Sequence, residues 1–317
     1  MLTAHTTASG DAPSQSSHVF WADLRDPTST EIAQVTADFG IPIPSRESLQ
    51  EIEASSRLRA SGRVLFASMP LATEDETHVY APVPLGFIIS PQILITVRYC
   101  DVHAFAQVEA AIDTGPQVGS SVFCALIDGM VDFCADRLER LSSRLGSLSA
   151  QAFAPQGSGR QLERGASGVL RDSLKAVGTA GDQLSHFRES MLGLQRIIGF
   201  VSKSAADWLS SEEKARLATA QQDLASLVDF EAHLSAKTQF LLDAILGFVN
   251  IEQNDIFKVL TIASVVGIPP TLIASMYGMN FHSMPELSWR WGYPYGLGLI
   301  LLSIVLPIGW FKRRGWW

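Results

Sequence analysis

Cysteine is scarce in this chain: 317 residues include three, Cys100, Cys124 and Cys134. Their number is odd and none forms a C-x-x-C pair, which excludes a disulfide framework and a cysteine zinc site and fits a reducing compartment with buried thiols. An excess of positive charge is missing as well. Lys and Arg total 24 against 32 Asp and Glu, a formal net charge of -8. Phosphate recognition needs a basic face that so acidic a chain does not provide, so nucleic acid is excluded as a partner. No G-x-x-x-x-G-K-[ST] loop is present to bind a nucleoside triphosphate, and no H-E-x-x-H or G-x-S-x-G segment marks a catalytic centre. Residues 1–17 have neither a basic flank nor an apolar run, so they are not a secretory signal; rich in Ser, Thr, Ala and Gly, they read as a disordered tail.

Charge is also absent from two stretches near the C-terminus, Val259 to Phe281 and Gly292 to Phe311. Each has about 20 residues, enough for a helix to cross roughly 30 Å of hydrocarbon, and a hydrophobic content of 47% agrees with part of the chain lying in lipid. Aromatic residues crowd both ends: Tyr277, Phe281, Trp289, Trp291, Tyr293 and Tyr295 on one side, Trp310, Phe311, Trp316 and Trp317 on the other. The second run ends in Lys312, Arg313 and Arg314, whereas the loop between the runs offers Arg290 against Glu286. The positive-inside bias therefore puts the C-terminus in the cytoplasm, and two spans put the N-terminal domain there too, in an inner (plasma) membrane.

Ahead of the membrane, residues 18–115 read as a small α/β domain. His18 to Leu24, Val64 to Leu71, Val79 to Ser90 and Ile93 to Tyr99 have strand character. Thr28-Ser29-Thr30-Glu31 has capping-box spacing and opens a helix ending near Gly40, and Ser45 to Ser61 reads as a second helix or a pair of turns. Residues 116–208 read as a helical stalk hairpin: Ile127, Val131, Cys134, Leu138, Leu141, Leu145 and Leu148 recur at alternating spacings of four and three, and a Gly/Ser-containing break at Pro155 to Gly168 separates them from a second helix. The acids Asp128, Asp132 and Asp136 on that first helix read as a solvated face. Residues 209–281 begin with the caps Ser210-Ser211-Glu212-Glu213 and keep an apolar three-four repeat broken only at Glu231 and Thr238. Gly247 is the one Gly or Pro between Ser210 and Val266, so the spacing predicts a single helix of about 100 Å at 1.5 Å per residue, running into the first span. Residues 282–291 then form a periplasmic loop, and 292–317 the second span with a basic end. The fold class is an α+β membrane protein with an N-terminal α/β domain, a helical stalk and two C-terminal transmembrane helices.

Within the first span, Thr261, Ser264, Gly267 or Ile268, Thr271 and Ser275 repeat every three or four residues and share one helical stripe, which continues to Asn254, Phe257 and Leu260 below and to Gly278 and Asn280 above. Such a stripe serves close helix packing, or it lines a lumen when several copies surround an axis. The run Tyr277-Gly278-Met279-Asn280-Phe281, followed by Met284-Pro285-Glu286-Leu287, Trp291-Gly292-Tyr293-Pro294 and the basic tryptophan-bearing end, closely resembles the CorA family of Mg²⁺ channels, of the two-span G-x-N class. The likeness covers the last 64 or so residues position by position and is looser upstream, at Phe39-Gly40-Ile41 and Ile93 to Arg98.

The resemblance implies a funnel-shaped homopentamer in a lipid membrane, with the first span lining the pore. Gly278, Met279 and Asn280 would form the selectivity filter. Mg²⁺ sheds inner-shell water reluctantly, and a ring of neutral amides can hold the hydrated ion without the tight grip of carboxylates. Asn254, Phe257, Leu260, Ser264, Ile268, Thr271 and Ser275 would line the path, Phe257 and Leu260 as a hydrophobic constriction. Asp243 would contribute an acidic ring at the cytoplasmic entrance, and Glu286 would lie in the outer loop. The family's regulatory metal site uses an aspartate at the position of Thr219 here, with Asp223 and Asp229 the nearest candidates. No cofactor is expected beyond Mg²⁺ as cargo and as regulatory ion, and no enzymatic activity. One alternative is a Zn²⁺ (or Co²⁺/Ni²⁺) transporter of the same superfamily, coupled to protons. Neither span offers the His or Cys that softer metals favour, and His282 is the one candidate near the mouth. Another is a membrane-anchored cytoplasmic sensor or enzyme whose hairpin is only an anchor.

Overall fold

The structure is a computed structural model describing residues 1–6, 19–51, 53–74, 80–111, 118–153, 166–279 and 284–316. The chain divides into two compact units, Met1–Gln156 with Asp172–Leu242, and Gly157–Arg171 with Asp243–Trp317.

In the first unit, β1 (Leu2–Thr6), β2 (Val19–Arg25), β3 (Leu58–Ser61), β4 (Val64–Glu74), β5 (Tyr80–Ile89) and β6 (Leu94–Arg98) form one mixed sheet in the order β1-β2-β6-β5-β4-β3. Among the described residues only β2 and β6 pair in parallel. One face carries helices α1 (Ser29–Phe39) and α2 (Arg46–Gln50) over Ala22, Leu24, Phe66, Ile88, Ile95 and Val97. Thr28 caps α1 with its side chain while Glu31 reaches back to the Thr28 N–H, and Gly40 ends the helix at φ 64°. Gly86 lets α2 sit close, since a Cβ there would lie 2.8 Å from Leu49 Cδ2.

The other face is covered by α4 (His103–Ala111), α5 (Gly119–Ala152) and α6 (Ala166–Ser204); a short α3 (Ala54–Arg57) precedes β3. Phe87 meets Phe123 edge-on at 5.7 Å, Trp21 meets Phe105 at 6.0 Å, and Ser190 of α6 accepts the Ala72 N–H at 2.8 Å. Both faces of the sheet are thus buried, which is why its central strands read as near-continuous apolar runs.

Two parts of the sheet depart from expectation. Leu2–Thr6, read as the start of a tail, is a strand paired antiparallel to β2, with His5 stacked on Trp21 at 4.6 Å; the rest of that tail lies outside the described residues. The Ser45 to Ser61 stretch holds two short helices and then β3, which turns into β4 through Gly62 at φ 60°.

Helix α7 (Ser211–Tyr277) is one unbroken element of 67 residues that begins in the first unit and ends in the second. In the first unit its apolar repeat is buried at Leu217, Ala220, Leu224, Leu234 and Leu241. The polar breaks have partners: Glu231, almost wholly buried, accepts from Arg188 of α6 and from Ser235 at 2.6 Å, and Thr238 donates to the Leu234 carbonyl at 2.8 Å. Asp128 is not merely solvated, since Arg216 grips it at 2.6 and 3.1 Å.

In the second unit α7 continues through Pro269 and Pro270, and α8 (Gly292–Arg313) follows a 3-10 turn, Pro285–Ser288. Both helices are long and apolar enough to cross a membrane. Two α8 carbonyls are satisfied by a chain reversal: Trp316 N–H reaches the Phe311 carbonyl and Gly315 N–H the Lys312 carbonyl, with Gly315 at φ 70° and Trp316 stacked on Phe311 at 5.4 Å.

Candidate functional site

At about 100° per residue, the candidates from Asp243 to Ser275 fall on one side of α7. Asp243, Asn254, Phe257, Thr261, Ser264, Ile268, Thr271 and Ser275 span an arc of about 100°, with Leu260 at its margin. Of these, all but Ser264 are exposed in the single chain, Phe257 and Ile268 to 64% and 62%. The half-buried residues Lys258, Ile262, Val266, Pro269, Ile273 and Tyr277 recur on the roughly opposite arc. The stripe is therefore uncovered in the single chain, as are Val259 and Met276 on the other side of the span. Asn250, which sequence reading passed over, is exposed and lies one turn before Asn254 on the same arc; an amide repeated at i and i+4 was the signal available.

Hydroxyls on the stripe are tied to their own helix. Thr261 donates to the Phe257 carbonyl at 2.7 Å, and Thr271 to those of Gly267 and Ile268 at 3.1 and 2.8 Å. Each keeps its oxygen lone pairs for a second partner. Pro269 and Pro270 have no N–H to offer the carbonyls one turn below.

At the top of the span the helix tightens. Gly278 N–H bonds the Ala274 and Ser275 carbonyls at 3.0 and 3.2 Å, and Met279 N–H the Met276 carbonyl at 3.3 Å. A Cβ on Gly278 would lie 3.3 Å from the Ala274 carbonyl oxygen, so the small residue serves close backbone turning here and not a left-handed φ. Met279 is half exposed; Asn280 lies outside the described residues. Glu286 belongs to the 3-10 turn after them.

The regulatory candidates are not brought together. Asp223 and Asp229 are both exposed, but six positions apart they point about 120° from each other around α7. Among the described residues no group of three or more His, Cys, Asp or Glu could hold a metal within one chain. The thiols do not substitute: burial pushes Cys124 and Cys134 up to about 12 and Cys100 to about 11, which leaves them protonated.

The family model for CorA-like Mg²⁺ transporter proteins matches residues 16–313. This chain belongs to the CorA family. That family is one of ion transporters and channels, not of enzymes. Among the family's curated members, the magnesium transport protein CorA of Wolinella succinogenes is 29% identical over 324 residues, covering all of this chain and 97% of the relative. Its counterpart from Yersinia pseudotuberculosis serotype I is 32% identical over 302 residues, 93% and 91% of the two chains. Among solved structures, the complete CorA magnesium transporter of Methanocaldococcus jannaschii matches 99% of this chain and 98% of its own with a TM-score of 0.76 at 17% identity. The full-length CmaX protein matches 98% and 91% with a TM-score of 0.68 at 15% identity. At those identities the structural matches show the fold: an α/β domain, a long helix and two C-terminal candidate spans.

Proposed function

We propose that the chain is one subunit of a CorA-type, funnel-shaped homopentamer that lets Mg²⁺ pass into the cytoplasm through a pore lined by α7. The observation that carries this reading is the uncovered stripe. A lone anchor helix gains nothing from aligning Asp243, Asn254, Thr271 and Ser275 on one side, whereas copies arranged about an axis would enclose a path of hydroxyls, amides and backbone. Phe257 and Leu260, about one and nearly two turns above Asn254, would close that path by dewetting, and Asp243 would concentrate cations at the cytoplasmic end. Gly278, Met279 and Asn280 would present neutral donors and acceptors to a hydrated ion at the outer mouth.

The driving force needs no ATP. A negative-inside potential favours entry of a divalent ion by about 4.6 kcal/mol per 100 mV, more than three decades in concentration. Passive flow through a tightly gated pore suffices.

The test is metal uptake into proteoliposomes holding the purified chain, comparing Mg²⁺, Zn²⁺ and Co²⁺ under an imposed potential or pH gradient. Potential-driven Mg²⁺ entry that Asn280→Ala abolishes is the expected result. Zn²⁺ uptake that follows the proton gradient would replace this reading with a proton-coupled zinc transporter, and no flux of any ion would leave the hairpin an anchor.

A further inference from the structure

Strand β1 lies at the rim of the sheet and pairs with β2 alone. Its His5 ring stacks on Trp21, with 4.6 Å between centroids and 19° between planes. The Nε2 atom of that ring is buried and has no hydrogen-bond partner among the described residues. Buried polar atoms are normally satisfied, so an unmet one is a cost to the fold. Glu109 of α4 stands opposite: its Oε1 lies 3.8 Å from Nε2, too far for a hydrogen bond and close enough for an ion pair. The two side chains are 18% and 34% exposed, which limits screening between them. The other charges on this side of the sheet pair with one another. Arg98 of β6 holds Asp23 of β2 at 2.8 Å and Asp101 at 3.4 Å, and Arg25 of β2 holds Asp101 at 2.8 Å. The Met1 ammonium, at the far end of β1, donates to the Arg25 carbonyl at 2.6 Å and lies 3.4 Å from Glu31. On α4 the remaining titratable group is His103, exposed at the opposite end of the helix from Glu109.

We propose that His5 and Glu109 form a proton-operated clasp, which fastens the N-terminal strand to α4 under acidic conditions and loosens it as the pH rises. A neutral imidazole either turns a lone pair toward the Glu109 carboxylate or offers it an uncharged N–H across too long a gap. The protonated ring has donors on both nitrogens, so Nε2 faces an anion while the positive ring rests on the Trp21 face. A small turn of the Glu109 side chain then brings it to hydrogen-bonding distance. Imidazoles exchange their proton between about pH 5 and 8, a range in which glutamate side chains are anions. The sign follows: the clasp is closed at the acid end of that range and open at the alkaline end. A five-residue strand with a single ladder is the part of the sheet that so small a contribution can move. The clasp lies wholly within the first unit and stands whether or not α7 lines a pore.

Amide hydrogen exchange of the full-length protein in detergent, read by mass spectrometry between about pH 8 and about pH 5.5 with the intrinsic pH dependence of exchange divided out, tests the clasp. Protection of the Leu2–Thr6 amides should rise about three- to fivefold from the alkaline to the acid end, the size expected of a half-exposed ion pair. Protection of β4 and β5 should stay constant over the same range. Glu109→Gln removes the anion, and His5→Phe keeps a ring on Trp21 while removing the proton site; both should fold with unchanged protection in β4 and β5 and flatten the pH dependence of β1. Protection of β1 that ignores pH in the unaltered protein, that falls on acidification, or that keeps its pH dependence in either variant would overturn the proposal.

Discussion

Asp23 is a carboxylate with 1% of its surface exposed, on a central strand of the sheet. It persists there because Thr96 donates to one oxygen at 2.6 Å and Arg98 to the other at 2.9 and 2.8 Å, while Trp21 donates to Thr96 at 3.0 Å. Removing the guanidinium leaves a buried charge with one hydroxyl, so Arg98→Met should cost about 3 kcal/mol; a melting point unchanged in the detergent-solubilised protein would contradict this. The buried thiols make a pH prediction. Burial holds Cys134 up at about 12, whereas the unfolded chain returns it to about 8.5. Between those values the folded state keeps a proton that the unfolded state releases, so this stabilisation is present below about pH 8.5 and lost as the pH rises from there. Thermal unfolding followed from pH 7.5 to 10 should show a falling midpoint, less steep in Cys134→Ala. At pH 8 the native protein should resist maleimide at Cys134 until guanidinium is added.

At the scale of elements, close approach of backbones is the sharpest constraint. Gly119 opens α5 where a Cβ would lie 2.5 Å from the Ile93 carbonyl carbon and the Leu94 nitrogen, atoms of the backbone leading into β6. Gly119→Ala must push α5 off the sheet and should lower stability by about 1–3 kcal/mol, read as a drop in melting point with retained secondary structure. On α7, Phe257→Ala should raise basal Mg²⁺ leak in proteoliposomes if this ring closes the path; unchanged leak would move the constriction elsewhere. Long, strongly periodic elements were the ones legible in sequence. The Ser210 caps and the sustained three-four repeat foretold α7, and absence of charge foretold both candidate spans. Leu2–Thr6 was not legible, because a polar five-residue edge strand owes its existence to β2 and to the Trp21 face beneath His5, neither of which leaves a local pattern. Strand β3 was missed for a related reason: Leu58-Arg59-Ala60-Ser61 lacks β-branched residues and fell inside the Ser45 to Ser61 stretch read as a second helix or a pair of turns. The stripe on α7 could be read from spacing alone, but that the chain leaves it uncovered could not, since coverage depends on which other segments pack on the opposite side.

For the whole molecule, the proposal requires several chains to supply one pore. Native mass spectrometry of the detergent-solubilised protein should give five chains per particle, and a monomer that still conducts would be incompatible with it. A single cysteine introduced by Gly315→Cys should react with a membrane-impermeant reagent from the cytoplasmic side only. The chain reversal at Gly315 also has a mechanical meaning. It fixes where α8 stops, with Trp316 locked over Phe311 and Arg314 over the Trp310 ring at 5.2 Å. The 22 residues of α8 measure about 33 Å against a hydrocarbon core of about 30 Å. With the basic end pinned at its interface, a thicker or thinner bilayer cannot be met by unravelling the last turn. The mismatch is taken up by tilt, or is passed to the opposite end of α8, so in the proposed channel bilayer thickness becomes a mechanical input to the outer mouth.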